Sequence, residues 1–283
     1  MARKVLGLVA SPNAEGRTCQ VVNAILMAAE KAGADADLVR MAEHVVQPCK
    51  DCNSDSCMEK QRCSFEDPGL EYLTRRLLNC DALVFGTPVY WKDTSAMAKY
   101  LILKMFRLFA AKSPLAGLPA LGIGVAGNTG NGLISGLRPI YHFFQMLHMR
   151  ALPPYPATRF NWGSVLSEAE KQGTELAGLA TERRPFQSME DLLLWYDNLP
   201  YLSLNRADEV RLLAALATAA VPDEAAAGVA RRLADAEHMK AQGNSLESLK
   251  ATASVFWRAV KDFDERVSQP EQACPAVKGY QAE

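Results

Sequence analysis

The chain carries two kinds of apolar pattern in alternation. Short, nearly unbroken apolar runs occupy Lys4–Ala10, Ala82–Gly86 and Pro119–Ala126, with a more mixed run at Asp37–Met41. Runs of this kind are expected of parallel strands buried on both faces. Between them, apolar residues recur at helical spacing. Val21, Val22, Ile25, Leu26 and Ala29 line one face of a segment that ends at Gly33. Leu70, Leu73 and Leu77 do the same over Pro68–Asn79, with Asp67 as cap and Pro68 at the first helical position. Further helices are expected over Ser95–Phe109, from the turn at Gly132 to about Met149, and over Leu166–Arg183, while Ala151-Leu152 begins a short fifth strand. Strands alternating with helices predict an α/β fold, a doubly wound parallel sheet.

From Pro185 onward the strands cease. Leu192–Tyr201, Asp208–Ala220, Asp223–Gln242 and Ser245–Val267 read as four helices, the last two with amphipathic stripes, separated by Asn198-Leu199-Pro200, Val221-Pro222-Asp223 and Gln242-Gly243-Asn244. The expected organisation is one domain over residues 1–184, a helical extension over 185–268 and a loose tail over 269–283. The extension reads as a structural or oligomerisation appendage. The sharper alternative is a docking surface for a redox partner, or a lid.

Composition changes this picture little. The chain has 283 residues, 49% of them hydrophobic and 22% charged, with a formal net charge of -1. Nothing in that balance asks for nucleic acid or an anionic membrane as partner. The N-terminal apolar run spans only about six residues before the turn at Ser11-Pro12-Asn13, so it is read as a first strand rather than a leader. No stretch approaches the ~20 apolar residues of a membrane span. Seven cysteines without a leader point to a reducing, cytoplasmic setting.

Chemistry is concentrated in the loops. In a parallel sheet the loops after strands one to four all leave from the carboxyl edge, where ligands bind. The first, Ser11-Pro12-Asn13-Ala14-Glu15-Gly16-Arg17-Thr18, precedes a helix. Ser11, Asn13, Arg17 and Thr18 can direct donors at one phosphate there; an ordinary turn with Thr18 as helix cap reads equally well. No G-x-G-x-x-G and no G-x-x-x-x-G-K-[ST] is present, so a dinucleotide fingerprint and a P-loop are unsupported. Thr87-Pro88-Val89-Tyr90-Trp91 is expected as a turn carrying two aromatics, and Gly127-Asn128-Thr129-Gly130-Asn131-Gly132 as a glycine-rich one. Together these loops suit a mononucleotide with a planar ring, such as flavin mononucleotide (FMN).

The remaining loop holds four of the seven cysteines, Cys49, Cys52, Cys57 and Cys63, spaced C-x2-C-x4-C-x5-C. That pattern admits an iron–sulfur cluster, a structural zinc, or thiols that hold nothing. Cys19 and Cys80 read as packing residues. His142 and His148 lie six apart, off the i, i+4 spacing of paired helical ligands.

These residues resemble a known family. The NADPH-dependent FMN reductases of the flavodoxin-like group carry a phosphate loop of the form G-S-P-R-x-x-G-N-T, and this chain has Ala10-Ser11-Pro12-Asn13-Ala14-Glu15-Gly16-Arg17-Thr18. Their P-C-x-x-C is matched by Pro48-Cys49-Lys50-Asp51-Cys52, and the later cysteine before a helix by Cys63-Ser64-Phe65-Glu66-Asp67. Their A-D-(apolar)3-G-[ST]-P-V-Y is matched by Cys80-Asp81-Ala82-Leu83-Val84-Phe85-Gly86-Thr87-Pro88-Val89-Tyr90, and their serine-alanine helix start with a lysine by Ser95-Ala96 and Lys99. Within that group the chain resembles the iron–sulfur flavoproteins. The likeness covers about residues 3–184.

The resemblance implies a flavodoxin-like five-stranded sheet of order 2-1-3-4-5, bound FMN, and a homodimer or homotetramer whose interface covers the flavin. It implies that Ser11, Asn13, Arg17 and Thr18 hold the phosphate. Thr87, Pro88, Val89, Tyr90 and Trp91 would flank the ring and ribityl chain. Gly127, Asn128, Gly130 and Gly132 would lie along the other ring edge, and Cys49, Cys52, Cys57 and Cys63 would hold a [4Fe–4S] cluster. The function implied is electron transfer between FMN and that cluster or an external donor, such as a ferredoxin or NAD(P)H. Electron transfer requires no acid–base residue, and none is assigned as catalytic. The alternatives are an NAD(P)H-dependent flavin or quinone reductase with no cluster, and a zinc-stabilised partner-binding protein. Two departures stand out. Leu103-Lys104 replaces the family's Asp-Arg, which puts a local ion pair in question, and the x4 before Cys57 is wider than usual.

Overall fold

A computed structural model of the protein describes residues 3–52, 54–221 and 223–266. The chain forms two compact units, divided between Leu204 and Asn205. In chain order the first unit contains β1 (Lys4–Val9), α1 (Arg17–Lys31), β2 (Asp35–Arg40), α2 (Ser54–Lys60), α3 (Pro68–Leu78), β3 (Ala82–Tyr90), β4 (Asp93–Thr94), α4 (Ala96–Phe109), β5 (Pro119–Ala126), α5 (Leu133–Met146), β6 (Arg150–Ala151), β7 (Tyr155–Thr158), α6 (Trp162–Leu179) and α7 (Met189–Asp197).

The sheet runs β2-β1-β3-β5-β6, all parallel, and β7 takes up the same side of β5 further along. The five positions are therefore those expected, in the order expected, but the fifth is broken in two. Pairing stops after Ala120↔Ala151 and resumes at Ile123↔Tyr155. Pro153 and Pro154 fall in the gap, where neither can donate to a ladder. A seventh strand, β4, folds back antiparallel on the end of β3.

The apolar runs form strands because both faces are covered. Leu6, Leu8, Leu83 and Phe85 join the core that includes α3, α4 and α5. Val5, Val9, Val84, Leu121 and Ile123 face α1 and α6. A Cβ on Gly86 would come 2.5 Å from Val22, so glycine there lets α1 lie close against the sheet.

Three boundaries differ from the sequence reading. First, β3 extends through Thr87-Pro88-Val89-Tyr90, which was expected as a turn. Gly86 offers its carbonyl to Ala10 N–H on the β1 side. Pro88, two residues on, presents that same side after β1 has ended, so its missing N–H breaks no ladder bond. Second, the cysteine loop contains the helix α2. Third, the domain boundary falls at Leu204 rather than at 184, because α7 packs on the first unit. Trp195 Nε1 donates to Ala151 O (2.9 Å) and the Tyr196 hydroxyl to Met149 O (2.8 Å). Arg150 lies between the rings of Phe186 and Trp195, 4.3 and 4.5 Å from their centroids.

The second unit is a bundle of α8 (Arg206–Ala219), α9 (Asp223–Ala241) and α10 (Ser245–Arg266). Leu213, Ala217, Ala236, Phe256, Ala259 and Val260 are buried within it. Its buried hydroxyls are satisfied by backbone: Ser248 Oγ donates to Ala236 O (2.6 Å) and Thr252 Oγ1 to Ser248 O (2.8 Å). The expected first helix of the extension is thus α7 of the other unit, and three helices form the bundle. The expected tail 269–283, with Cys274, lies outside the described residues. Among the described residues no helix is long and apolar enough to cross a membrane.

Candidate functional site

The carboxyl edge of the sheet brings several loops together. After β1 the buried Ser11 accepts from Asn13 N–H (3.2 Å), and Asn13 Oδ1 from Glu15 N–H (3.0 Å), which shapes a tight polar loop. Gly16, not Thr18, is the N-cap of α1, and no side chain caps that end. The first turn holds no acidic residue. An N-terminus left uncapped and free of carboxylates is the arrangement that suits an anion. Arg17 lies over the Trp162 ring, 5.4 Å from its centroid, which draws in the start of α6.

Tyr90, at the end of β3, hydrogen-bonds Ser11. Burial pushes the Tyr90 phenol above its ordinary pKa, and the Ser11 bond offsets part of that. Thr87 points inward. Its hydroxyl donates to Pro88 O and accepts from Ser95 N–H (3.1 Å) and Thr94 Oγ1 (2.7 Å). It therefore fixes the hairpin and the start of α4, whose cap is Ser95. Pro88 is buried, Val89 half-buried, and Trp91 almost wholly exposed. Trp91 and Lys92 make the hairpin turn with φ of +50° and +61°.

The glycine-rich turn after β5 docks on that hairpin. Gly132, the N-cap of α5, has φ +89°, and a Cβ there would lie 2.3 Å from Lys92 Cα. Asn128 and Gly130 also take positive φ, 47° and 76°, while Gly127 has open space around it. The loops bearing Ser11, Tyr90 and Gly132 are thus one cluster, as the topology implied.

The cysteine loop forms a second cluster against α3 and α4. Cys49, Cys52, Cys57 and Cys63 all line one cavity of about 300 Å³, with Lys50, Phe65, Leu70, Lys104, Arg107 and Leu108 among its walls. Cys57 reaches it from α2 and is buried; Cys49 and Cys63 are half-buried and Cys52 is exposed. The wide x4 spacing is absorbed by the helix and does not keep Cys57 out. The described cysteines are all unpaired thiols. Among the described residues no three His, Cys, Asp or Glu side chains are grouped to hold a metal ion. One zinc would draw its thiolates to roughly 4 Å from each other. Here all four line one cavity.

Side chains other than the four cysteines hold this cavity open. Asp67 Oδ1 caps α3 through Leu70 N–H (3.0 Å). Its Oδ2 accepts Gln47 N–H (3.0 Å), just before Cys49, and binds Lys104 Nζ at 2.5 Å. One carboxylate thus ties both ends of the cysteine loop to α4. A local ion pair was put in question at Leu103-Lys104; Lys104 pairs instead with Asp67, 37 residues away. Arg107 pairs with Asp51 in the C-x2-C turn, and Lys50 lies 4.1 Å over the Phe65 ring. Arg107 Nε is shielded from solvent and has no hydrogen-bond partner among the described residues. Lys104 is marked in the sequence by its departure from the family's Asp-Arg, whereas Trp162 and Arg107 are marked only by position, at a carboxyl-edge turn and one helical turn from Lys104 on α4.

Outside these clusters Cys80 is inert, its thiol pushed up to about 12 by burial and donating to Leu77 O. Cys19, near the start of α1, is also raised by burial. His142 is exposed and lowered by partial burial and by nearby Arg138 and Lys99. His148 sits in the turn after α5 with φ +53°.

A family model described as NADPH-dependent FMN reductase matches residues 3–158. The chain is 28% identical over 169 residues to an iron-sulfur flavoprotein of Methanocaldococcus jannaschii, covering 59% of this chain and 84% of the relative. A second iron-sulfur flavoprotein of that organism is 29% identical over 143 residues, covering 50% of this chain and 70% of the relative. Among solved structures, RosB with bound 8-demethyl-8-formylriboflavin-5'-phosphate superposes with a TM-score of 0.52 at 15% identity, over 68% of this chain and 85% of that one. A flavone reductase gives 0.50 at 14% identity, over 65% and 66%. At these identities the structural likeness establishes the fold.

Proposed function

The chain belongs to the NADPH-dependent FMN reductase family, and from that premise we propose that Cys49, Cys52, Cys57 and Cys63 hold a [4Fe–4S] cluster that exchanges electrons with FMN. The protein is an FMN-dependent oxidoreductase. The observation that carries the cluster reading is the single cavity lined by all four thiols. The wall chemistry fits: four thiols and the cationic Lys104 and Arg107 line the same cavity, and Arg107 Nε is a buried donor with no acceptor among the described residues. The likeness to relatives named iron-sulfur flavoproteins supports it further.

When bound, FMN takes electrons singly or in pairs and a cluster handles them one at a time. The residues of this chain bind and position. Ser11, Asn13, Arg17, Thr18 and the uncapped N–H groups of α1 hold the phosphate. Tyr90 and Trp91, with Pro88 and Val89 behind them, lie against the ring, and Thr87 fixes their hairpin. Gly127, Asn128, Gly130 and Gly132 let backbone approach the far ring edge. The external donor in this reading is a ferredoxin-like protein or NAD(P)H. The setting is a reducing, cytoplasmic one that keeps the thiols unpaired. A homodimer or homotetramer covering the flavin belongs to the same reading, supported by the exposed Tyr100, Leu103 and Phe106 on α4.

Anaerobic purification tests this. Absorbance with iron, sulfide, zinc and flavin analysis is expected to give FMN and a four-iron cluster in each chain. Cys57→Ala is expected to lose iron and keep FMN. Flavin without iron or sulfide would leave an NAD(P)H-dependent reductase with no cluster. Colourless protein with one zinc per chain would overturn the redox site altogether.

A further inference from the structure

Lys104 and Arg107 both line the four-cysteine cavity, yet their charges are matched differently. Lys104 is paired with Asp67, and both side chains are buried, 6% and 1% exposed. That pair is neutral inside the protein and adds little net field. Arg107 is 22% exposed, while its partner Asp51 is 78% exposed. Water screens the Asp51 carboxylate far more than the guanidinium, so within this pair the guanidinium keeps the stronger field toward the cavity, whose walls also include Lys50 and Glu66. Arginine cannot lose that charge. Asp51 also occupies only one side of the fork. Arg107 Nε remains buried and unpartnered among the described residues, and such a donor costs stability unless an acceptor arrives. Four of the side-chain acceptors lining the same cavity are cysteine sulfurs, the others being Gln47 and Glu66.

We infer that Arg107 is a positioning residue for the group held by the four cysteines: its Nε–H donates to a cysteinate sulfur and raises the reduction potential of the site, while Asp51 holds the guanidinium in place. This rests on the cluster reading above. Reduction adds one electron from a one-electron donor, and no bond is made or broken. The added charge falls partly on the thiolate sulfurs, so a fixed donor and a poorly screened cation stabilise the reduced form more than the oxidised one. The same asymmetry predicts that Lys104, already neutralised, has far less effect on the potential.

The test uses the anaerobically reconstituted full chain as wild type, Arg107→Met and Arg107→Lys. Iron and sulfide are counted, and the potential is read by a redox titration followed by electron paramagnetic resonance. In Arg107→Met the equilibrium is expected to shift at least tenfold toward the oxidised form, about 59 mV more negative for one electron. Arg107→Lys keeps the charge but loses Nε–H, and is expected to shift in the same direction by less. Should the methionine variant fail to hold iron, the lysine variant carries the test. Full iron with the wild-type potential in every variant that holds a cluster would overturn the inference and leave the cluster reading intact. Wild-type chain without iron and sulfide would overturn both.

Discussion

Lys104→Met is the most informative single change in the fold. The Lys104–Asp67 pair is 2.5 Å long and almost fully buried. An exposed pair of that length would be worth about 0–1 kcal/mol. Burial changes the arithmetic, because removing one partner strands the other charge away from water at a cost of about 3–5 kcal/mol. In Lys104→Met the Asp67 carboxylate keeps two N–H donors, from Leu70 and Gln47, so the loss falls near the lower end, about 3 kcal/mol. Asp67→Ala loses those bonds and the cap of α3 as well, worth about 1 kcal/mol more. The double variant Asp67→Asn/Lys104→Met buries no charge and is expected to be more stable than either of its single parents. Urea unfolding of the full chain reads this, followed by the fluorescence of Trp91, Trp162 and Trp195 in the first unit. With a slope of about 2 kcal/mol/M, the Lys104→Met midpoint should fall by roughly 1.5 M. A midpoint within about 0.5 M of wild type would refute the buried-pair reasoning. So would a double variant no better than its parents.

Two further outcomes follow from the geometry. Gly132→Ala has to relieve a φ of +89° and a 2.3 Å approach to Lys92 Cα, so its loop moves and FMN binding weakens by about tenfold or more in a flavin-quenching titration; wild-type affinity would remove that loop from the flavin site. The Cys80 thiol sits at about 12 when folded against 9.0 ordinarily, so above pH 9 the unfolded chain sheds a proton that the folded chain keeps. Stability therefore falls as pH rises, by about 1 kcal/mol from this group between pH 9 and 10. Cys80→Ala should remove that component between pH 9 and 10, and equal slopes for the two proteins would contradict it.

Much of the fold was legible because burial writes itself into composition. The runs at Lys4–Ala10 and Pro119–Ala126 have no polar face, so they had to be covered on both sides. The alternation of strand and helix then put the Ser11, Tyr90 and Gly132 loops at one edge. What escaped the sequence was long-range or exceptional. Asp67 and Lys104 stand 37 residues apart, and nothing local marks them as partners. Arg107 and Asp51 are 56 apart. Thr87-Pro88 looks like a turn because proline is rare in strands, and only the early end of β1 makes it tolerable. Residues 54–60 form a short polar helix anchored by the buried Cys57, which was read as a ligand alone. The α7 segment was assigned to the extension because its apolar positions fit a helix anywhere; its bonds to Ala151 and Met149 decide where it belongs.

The paired prolines at 153 and 154 have a bearing on self-association. An open sheet ends in unpaired N–H and C=O groups that invite another strand to add on. At this edge the sheet offers β6 and β7, two and four residues long, with no continuous ladder between them. At the opposite edge β2 carries Asp35, Asp37 and Arg40, charges that resist a second copy sliding alongside. Neither margin suits strand addition. A second copy would find helix faces and loops more open to it than either margin of the sheet.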